Sequence, residues 1–372
     1  MKIQPKNAWN PIAAQAAMQK LKGALESQKL LIQIEGYFHL TKTAPAYGNA
    51  ILLRDLDLES LTREWIEERS SFSELVTKYV RLDNSVSSSW PAHYPVRTLA
   101  GSGPLTSGSN IFMFFPRALG LESDKEEDYF GFEFIDIWAN IFRNTVFPCL
   151  CRAFAPASQF EAYSRLAYHL DRTVYLASVF HEIGHRLGSF RVSPARLPEM
   201  LLTGYHFDVL GELMTDSLLA SQLAEFPELA LFVFLQRLFW FPRRGYANAP
   251  TMAWVNSDGD SWIGAYLWNR ARKNGTLYQE GGCWNFASER LTELFSSIVQ
   301  DLNALSMQLV AVSTVEAQEA IVQAWMESEV DTCDGYFVLP TELIEIYHVC
   351  QDIPEFPPYC PPLSMHAENQ AA

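Results

Sequence analysis

The chain has 372 residues, 48% of them hydrophobic and 13% aromatic, which is apolar material for one large domain or two ordinary ones. A formal charge of −15 and a pI near 5.0 repel phosphate backbones and anionic lipid, so nucleic acid and membrane surfaces are not expected partners. The opening MKIQPKNAWNP has no apolar stretch after its charges, and no run of about 18 apolar residues occurs anywhere, so a cytoplasmic, non-membrane protein is expected.

In chain order, residues 10–29 read as an amphipathic helix. LIQIEGYFHL at 31–40 reads as a strand, because its β-branched and aromatic residues run between turn signals. Ser71 and Glu74 have capping-box spacing before LVTKYV, and the Ser-, Pro- and Gly-rich stretch 83–110 marks a boundary. The aromatic runs at 110–116 and 129–138 read as strands beside the site, flanking an acidic turn. From Ser158, which forms a second capping box with Glu161, the pattern is helical over 159–170, 172–187, 207–223, 228–240, 286–310 and 314–328. NSDGDSW at 256–262 reads as a turn, lacking the full calcium-loop pattern.

These elements predict an α+β fold: a smaller mixed α/β N-terminal part, and strands packed on a mainly α-helical, metal-binding C-terminal part. The expected domains are an N-terminal α/β subdomain over 1–100, a metal-binding catalytic domain over 101–350 and a Pro-rich tail over 351–372. Six cysteines without a C-x-x-C pair point to reduced thiols, with pairing among Cys333, Cys350 and Cys360 left open. Cys283 in EGGCWNF has no specified base and makes a poor nucleophile.

The chemistry-bearing stretch is VFHEIGHRLGSF at 179–190. From Arg172 to Leu187 the helix is apolar on more than one face, with Gly188 placed to stop it in a left-handed conformation. His181 and His185, four apart, project from one face and can reach a single ion. Glu182 follows in the H-E-x-x-H arrangement, where two imidazoles bind zinc and the carboxylate acts on the metal's water. A catalytic zinc needs a third protein ligand and an open fourth position. The best candidate ligand is Glu212 in GYHFDVLGELMTDSLLASQL, with Asp216 one turn later able to accept from a ligand histidine's second nitrogen. His206 competes as a ligand or substrate contact, and Tyr205 and Tyr246 are candidate oxyanion donors. Arg243 is the first of several arginines that could fork a substrate carboxylate.

His181-Glu182-Ile183-Gly184-His185 followed by Glu212 and Asp216 resembles the gluzincin zinc hydrolases, the group of thermolysin and many aminopeptidases. The resemblance implies His181, His185 and Glu212 as zinc ligands, Glu182 as general base and Asp216 as support for a ligand. No G-x-M-E-N segment is present, and no H-x-x-G-x-x-H extension follows the second histidine. The expected function is zinc-dependent hydrolysis of a peptide or small-molecule amide. The alternative is a non-haem Fe2+ or other small-molecule metalloenzyme with the same two-histidine, one-carboxylate ligands. A third reading, a structural zinc in a binding protein, requires a fourth protein ligand such as His206 or Asp216.

Overall fold

Buried Ile32 and Ile34 alternate with exposed Leu31 and Gln33, the period of two that lays one strand face on a core. The expected strand at 31–40 is therefore present as β1 (Leu31–His39), antiparallel to β2 (Pro45–Arg54). The structure, a computed structural model, describes residues 23–24, 27, 29–39, 45–69, 74, 77, 93–101, 113–114, 131–191, 196–243 and 259–363. The expected helix at 10–29 and the Ser71–Glu74 cap fall largely or partly outside these residues.

The chain is α+β and divides into two compact units. One is drawn from Met1–Trp65, Trp90–Asn140 and Phe356–Ala372, the other from Ile66–Ser89 and Ile141–Glu355. The first carries a five-stranded mixed sheet in the order β1-β2-β3-β5-β4, with β3 (His93–Gly101), β4 (Met113–Phe114) and β5 (Gly131–Phe134). β3 runs parallel to β5, and every other pairing is antiparallel. β3 lies inside the stretch 83–110 that composition marks as a boundary, because its Tyr-Pro-Val-Arg-Thr-Leu segment is short and has prolines and serines before it. Helix α1 (Leu56–Glu67) starts at Asp55, whose Oδ1 accepts from the Leu58 amide at 3.0 Å.

The strand expected over 129–138 ends at Phe134, and Ile135–Ile141 is helix α2. Phe132, Phe134, Ile135, Ile137 and Ala139 are all fully buried, so apolar positions at close to every second residue continue across the boundary and periodicity does not mark it. Asp136 in the first turn of α2 accepts from the Thr98 amide of β3 at 2.7 Å and from the Tyr359 hydroxyl. The Pro-rich segment that holds Tyr359 has neither helix nor strand, as expected, and the Leu363 amide donates to the Leu99 carbonyl at 2.7 Å.

In the second unit α3 (Phe147–Ala153) precedes α4 (Pro156–Gly184), a single 29-residue helix where two were expected. Its first turn begins at Pro156, so the Ser158–Glu161 capping box is not used. The Ser158 hydroxyl instead accepts from the Phe286 amide at 3.3 Å, and Glu161 accepts from Ser288 Oγ at 2.6 Å. There follow α5 (Gly204–Gln222), α6 (Pro227–Phe239) and α7 (Gly259–Lys273), the last starting within the expected turn at 256–262. The hairpin of β6 (Leu277–Glu280) and β7 (Cys283–Phe286) occupies the start of the helix expected at 286–310, which begins at Leu291 as α8 (Leu291–Val310). Next come α9 (Val315–Glu329), a two-residue hairpin of β8 (Thr332–Cys333) and β9 (Tyr336–Phe337), and α10 (Thr341–Val349). All six cysteines are free thiols. No helix among the described residues is long and apolar enough to cross a membrane.

The long connection from α4 to α5 is tied down from α9. Gln318 is fully buried; its Oε1 accepts from the amides of Leu201 at 2.9 Å and Leu202 at 3.2 Å, and its Nε2 donates to the carbonyls of Glu199 and Leu309, both at 2.8 Å. Arg196 adds a bond to the Met200 carbonyl at 2.8 Å, and its guanidinium lies 4.3 Å from the centre of the Phe207 ring. Replacing Gln318 with Leu strands buried amides and carbonyls at once. We expect a loss of about 3 kcal/mol in urea denaturation, and a loss below about 1 kcal/mol would show that the connection holds itself.

Candidate metal centre

Helix α4 is buried all round from Thr173 to Phe180, so its last turn is held in place before the histidines are reached. His181 lies in that turn and His185 is its C-cap, at the end of a helix whose unpaired carbonyls favour a cation. Gly188 has φ +70°, the left-handed stop expected from the sequence, and the helix ends a turn earlier than the expected 187.

α5 packs closely against this end, with Thr215 over Gly184. A Cβ added at Gly184 would lie 2.7 Å from Thr215 Cγ2 and 3.3 Å from Thr215 Cα, so only glycine fits opposite Thr215. The contact brings Glu212 up to the two imidazoles. His181 Nε2 is 3.1 Å from His185 Nε2 and 3.3 Å from Glu212 Oε2, and His185 Nε2 is 3.4 Å from Glu212 Oε1. One ligand atom from each of the three residues lies within 4.8 Å of the others.

The far nitrogens are also engaged. His181 Nδ1 donates to Asp216 Oδ1 at 3.0 Å, and His185 Nδ1 is 3.3 Å from Thr215 Oγ1. Both rings thus present Nε2 to the same point, with the His181 tautomer fixed from behind by Asp216. Asp216 is held in turn by Arg237 of α6, whose Nε donates to Oδ2, whose Nη2 is 3.3 Å from Glu212 Oε2, and whose Nη1 binds Asp260 of α7. Arg237 is 3% exposed.

Burial opposes charge on His181, yet the neighbouring carboxylates of Glu212 and Asp216 hold its pKa well above the ordinary histidine value. Burial likewise disfavours ionised Glu212, but His181 and His185 hold it well below the usual carboxylate range. Asp216 is lowered against its own burial by Arg237 and His181. The donors fit a divalent cation: Glu212, Asp216 and Asp260 against Arg237 leave the contact cluster two negative charges in excess, and a proton on His181 offsets only one.

Glu182 lies next to His181 on α4 and is half-buried. His206 is not brought to the cluster; its Nε2 contacts Gln323 Oε1 of α9 at 3.2 Å, and the Tyr205 ring packs beside it at 5.9 Å. Both sit in the first turn of α5, about two turns before Glu212. Arg243 is buried away from the three ligands, bound to Cys149 and to the Cys350 carbonyl. Tyr246 lies outside the described residues.

Arg237 and Asp260 are site residues that the sequence reading missed. The available signal was a lone arginine in PELALFVFLQRLF, since a charge on a helix apolar all round requires a partner.

No protein-family model and no curated protein matches the chain. Solved structures do, and two of them are of dipeptidyl-peptidase III. The structure of DPP III from Caldithrix abyssi aligns with a TM-score of 0.55 and 12% identity, covering 96% of this chain and 67% of that one. The structure of dipeptidyl-peptidase III from Corallococcus sp. strain EGB aligns with a TM-score of 0.52 and 10% identity, covering 92% of this chain and 64% of that one. The chain shares their fold. It spans about two thirds of the length of either.

The Gly184–Thr215 contact is directly testable. Gly184→Ala forces α4 and α5 apart and should cost about 1–3 kcal/mol of stability and weaken zinc binding, measured by competition with a chromogenic chelator. Thr215→Ser removes the clashing methyl but keeps the hydroxyl beside His185. The double variant should therefore recover most of the loss, and simple additivity of the two changes would show that this contact does not set the helix spacing.

Proposed function

We propose that the protein is a zinc-dependent hydrolase that cleaves a peptide or other amide bond, with His181, His185 and Glu212 holding the ion. The observation that carries this reading is the convergence of two imidazole nitrogens and one carboxylate within 4.8 Å, each imidazole backed by its own partner. Neither His206 nor Asp216 is among the converging atoms, so among the described residues the ligand set is three, which favours an open, catalytic site over a closed, structural one. A fold shared with structures named dipeptidyl-peptidase III favours hydrolysis of peptides over oxygen chemistry at the same ligand set.

When bound, zinc supplies acidity to a water and positive charge against a developing oxyanion. The remaining work falls to the chain. Glu182, adjacent to His181, accepts the proton of the attacking water and returns it to the leaving nitrogen. Asp216 keeps the His181 ring oriented, and Arg237 keeps Asp216 oriented. Tyr205 and His206, upstream on α5, are the described candidates for contact with substrate or oxyanion. Action in the cytoplasm, without a nucleic-acid or membrane partner, completes the proposal.

Protein purified without added metal should contain about one zinc per chain and hydrolyse either a dipeptidyl-naphthylamide or an internally quenched peptide, with activity removed by chelator and restored by zinc. Glu182→Gln should keep the metal and lose at least about 100-fold in kcat. Bound iron with oxygen-dependent turnover would replace hydrolysis with the facial-triad chemistry.

A further inference from the structure

Arg243 is 4% exposed, and among the described residues no carboxylate stands at ion-pair distance from it. Its Nη1 donates to Cys149 Sγ at 3.5 Å, and its Nη2 donates to the carbonyl of Cys350 at 2.9 Å and to that of Ile353. A buried guanidinium needs an opposite charge. The neighbouring carboxylate, Asp352, is already forked by Arg152, with Nη2 to Oδ2 at 2.8 Å. Two guanidiniums thus share one carboxylate. Of the other described groups that face Arg243, Tyr347 gives its hydroxyl proton to the Leu238 carbonyl at 2.6 Å and is kept neutral by burial, so among the described residues sulfur is the nearest source of a balancing anion.

Cys149 on α3 and Cys350, one residue past α10, are both fully buried and hydrogen-bonded to each other, with Cys350 Sγ 3.9 Å from the Cys149 carbonyl oxygen. The hydrogen bond from Cys149 holds the Cys350 thiol below its ordinary value; burial and Asp352 oppose this, and Arg243 and Arg152 reinforce it. The bond to Cys350 and burial push Cys149 up, so Cys350 is the first of the pair to ionise. Cys350 lies just beneath the surface, between Val349, 58% exposed, and Asp352, 67% exposed.

We propose that Cys149 and Cys350 are a redox-active dithiol, which a peroxide oxidant converts to an intramolecular disulfide joining α3 to the end of α10. The Cys350 thiolate attacks the peroxide O–O bond, forming a sulfenic acid and releasing hydroxide, which leaves as water with a proton. Cys149 sulfur then attacks the Cys350 sulfur, its own proton leaving with the displaced hydroxyl as a second water. Two thiols are oxidised and one peroxide is reduced to two waters. The bond spans 201 positions and closes a loop containing His181, His185 and Glu212, so oxidation ties the segment that carries the metal centre into a covalent ring.

The full chain carrying Cys151→Ser, Cys283→Ser, Cys333→Ser and Cys360→Ser, treated with hydrogen peroxide, should lose two hydrogens from its intact mass. It should also give one cross-linked peptide pair containing Cys149 and Cys350, reversed by dithiothreitol. Thiols that stay reduced once peroxide has oxidised exposed cysteines in the unsubstituted protein, or oxygen added at Cys350 without a cross-link, would overturn the proposal. In the same background Arg243→Gln should slow cross-linking at least tenfold, and an unchanged rate would remove the guanidinium from the argument. Should that variant not fold, the cross-linking result decides alone.

Discussion

The candidate metal centre depends on one steric fact, that α4 and α5 meet where a side chain at Gly184 would push them apart. Gly184 has no side chain, and Thr215 fills the space a Cβ would need. Each helix contributes a pair at a spacing of four: His181 and His185 on one, Glu212 and Asp216 on the other. A spacing of four puts each pair on one stripe, and the Gly184–Thr215 contact sets the stripes opposite each other. Packing and ligation are then the same arrangement, because Thr215 both touches Gly184 and stands behind His185, while Asp216, the next residue, stands behind His181.

Charge explains the outer residues. Three carboxylates crowded beside two imidazoles would repel one another if all were ionised, and burial makes the repulsion worse. Arg237 reduces the excess and, because a guanidinium is a rigid fork, also fixes direction: it touches Glu212, Asp216 and Asp260 with different nitrogens. Two negative charges remain in excess, which a divalent cation with neutral imidazoles cancels. Glu212 and Asp216, both at ion-pair distance from His181, mark where that positive charge is wanted.

The sequence was informative where chemistry and periodicity coincide. His181, His185, Glu212 and Asp216 were legible because a spacing of four on a helix needs no tertiary knowledge, and the structure brings the first three together with the fourth behind them. β1 was legible from its alternation. The end of β5 was not, because apolar positions at close to every second residue continue past it. α7 was hidden behind NSDGDSW, whose turn-forming residues are also good residues to start a helix, and α4 was split only because its middle shows no single apolar stripe. Arg237, Asp260 and Gln318 were missed for a different reason: each acts through partners more than 20 residues away, and no local pattern records them.

Arg237 and Arg243 make a useful contrast, since both are almost fully buried and they lie six residues apart in chain order. Arg237 meets three carboxylates, groups that are ionised without help, so its charge is balanced by anions that do nothing but hold position. Arg243 meets one sulfur, that of Cys149, and two carbonyls, and of the groups around it only the Cys149–Cys350 thiol pair can become anionic. The same guanidinium therefore stiffens one site and activates the other. The difference lies in the partner's ordinary pKa: a carboxylate beside arginine becomes more inert, whereas a thiol beside arginine becomes a nucleophile. An arginine buried among cysteines is thus informative about reactivity, while one buried among acids is informative about rigidity.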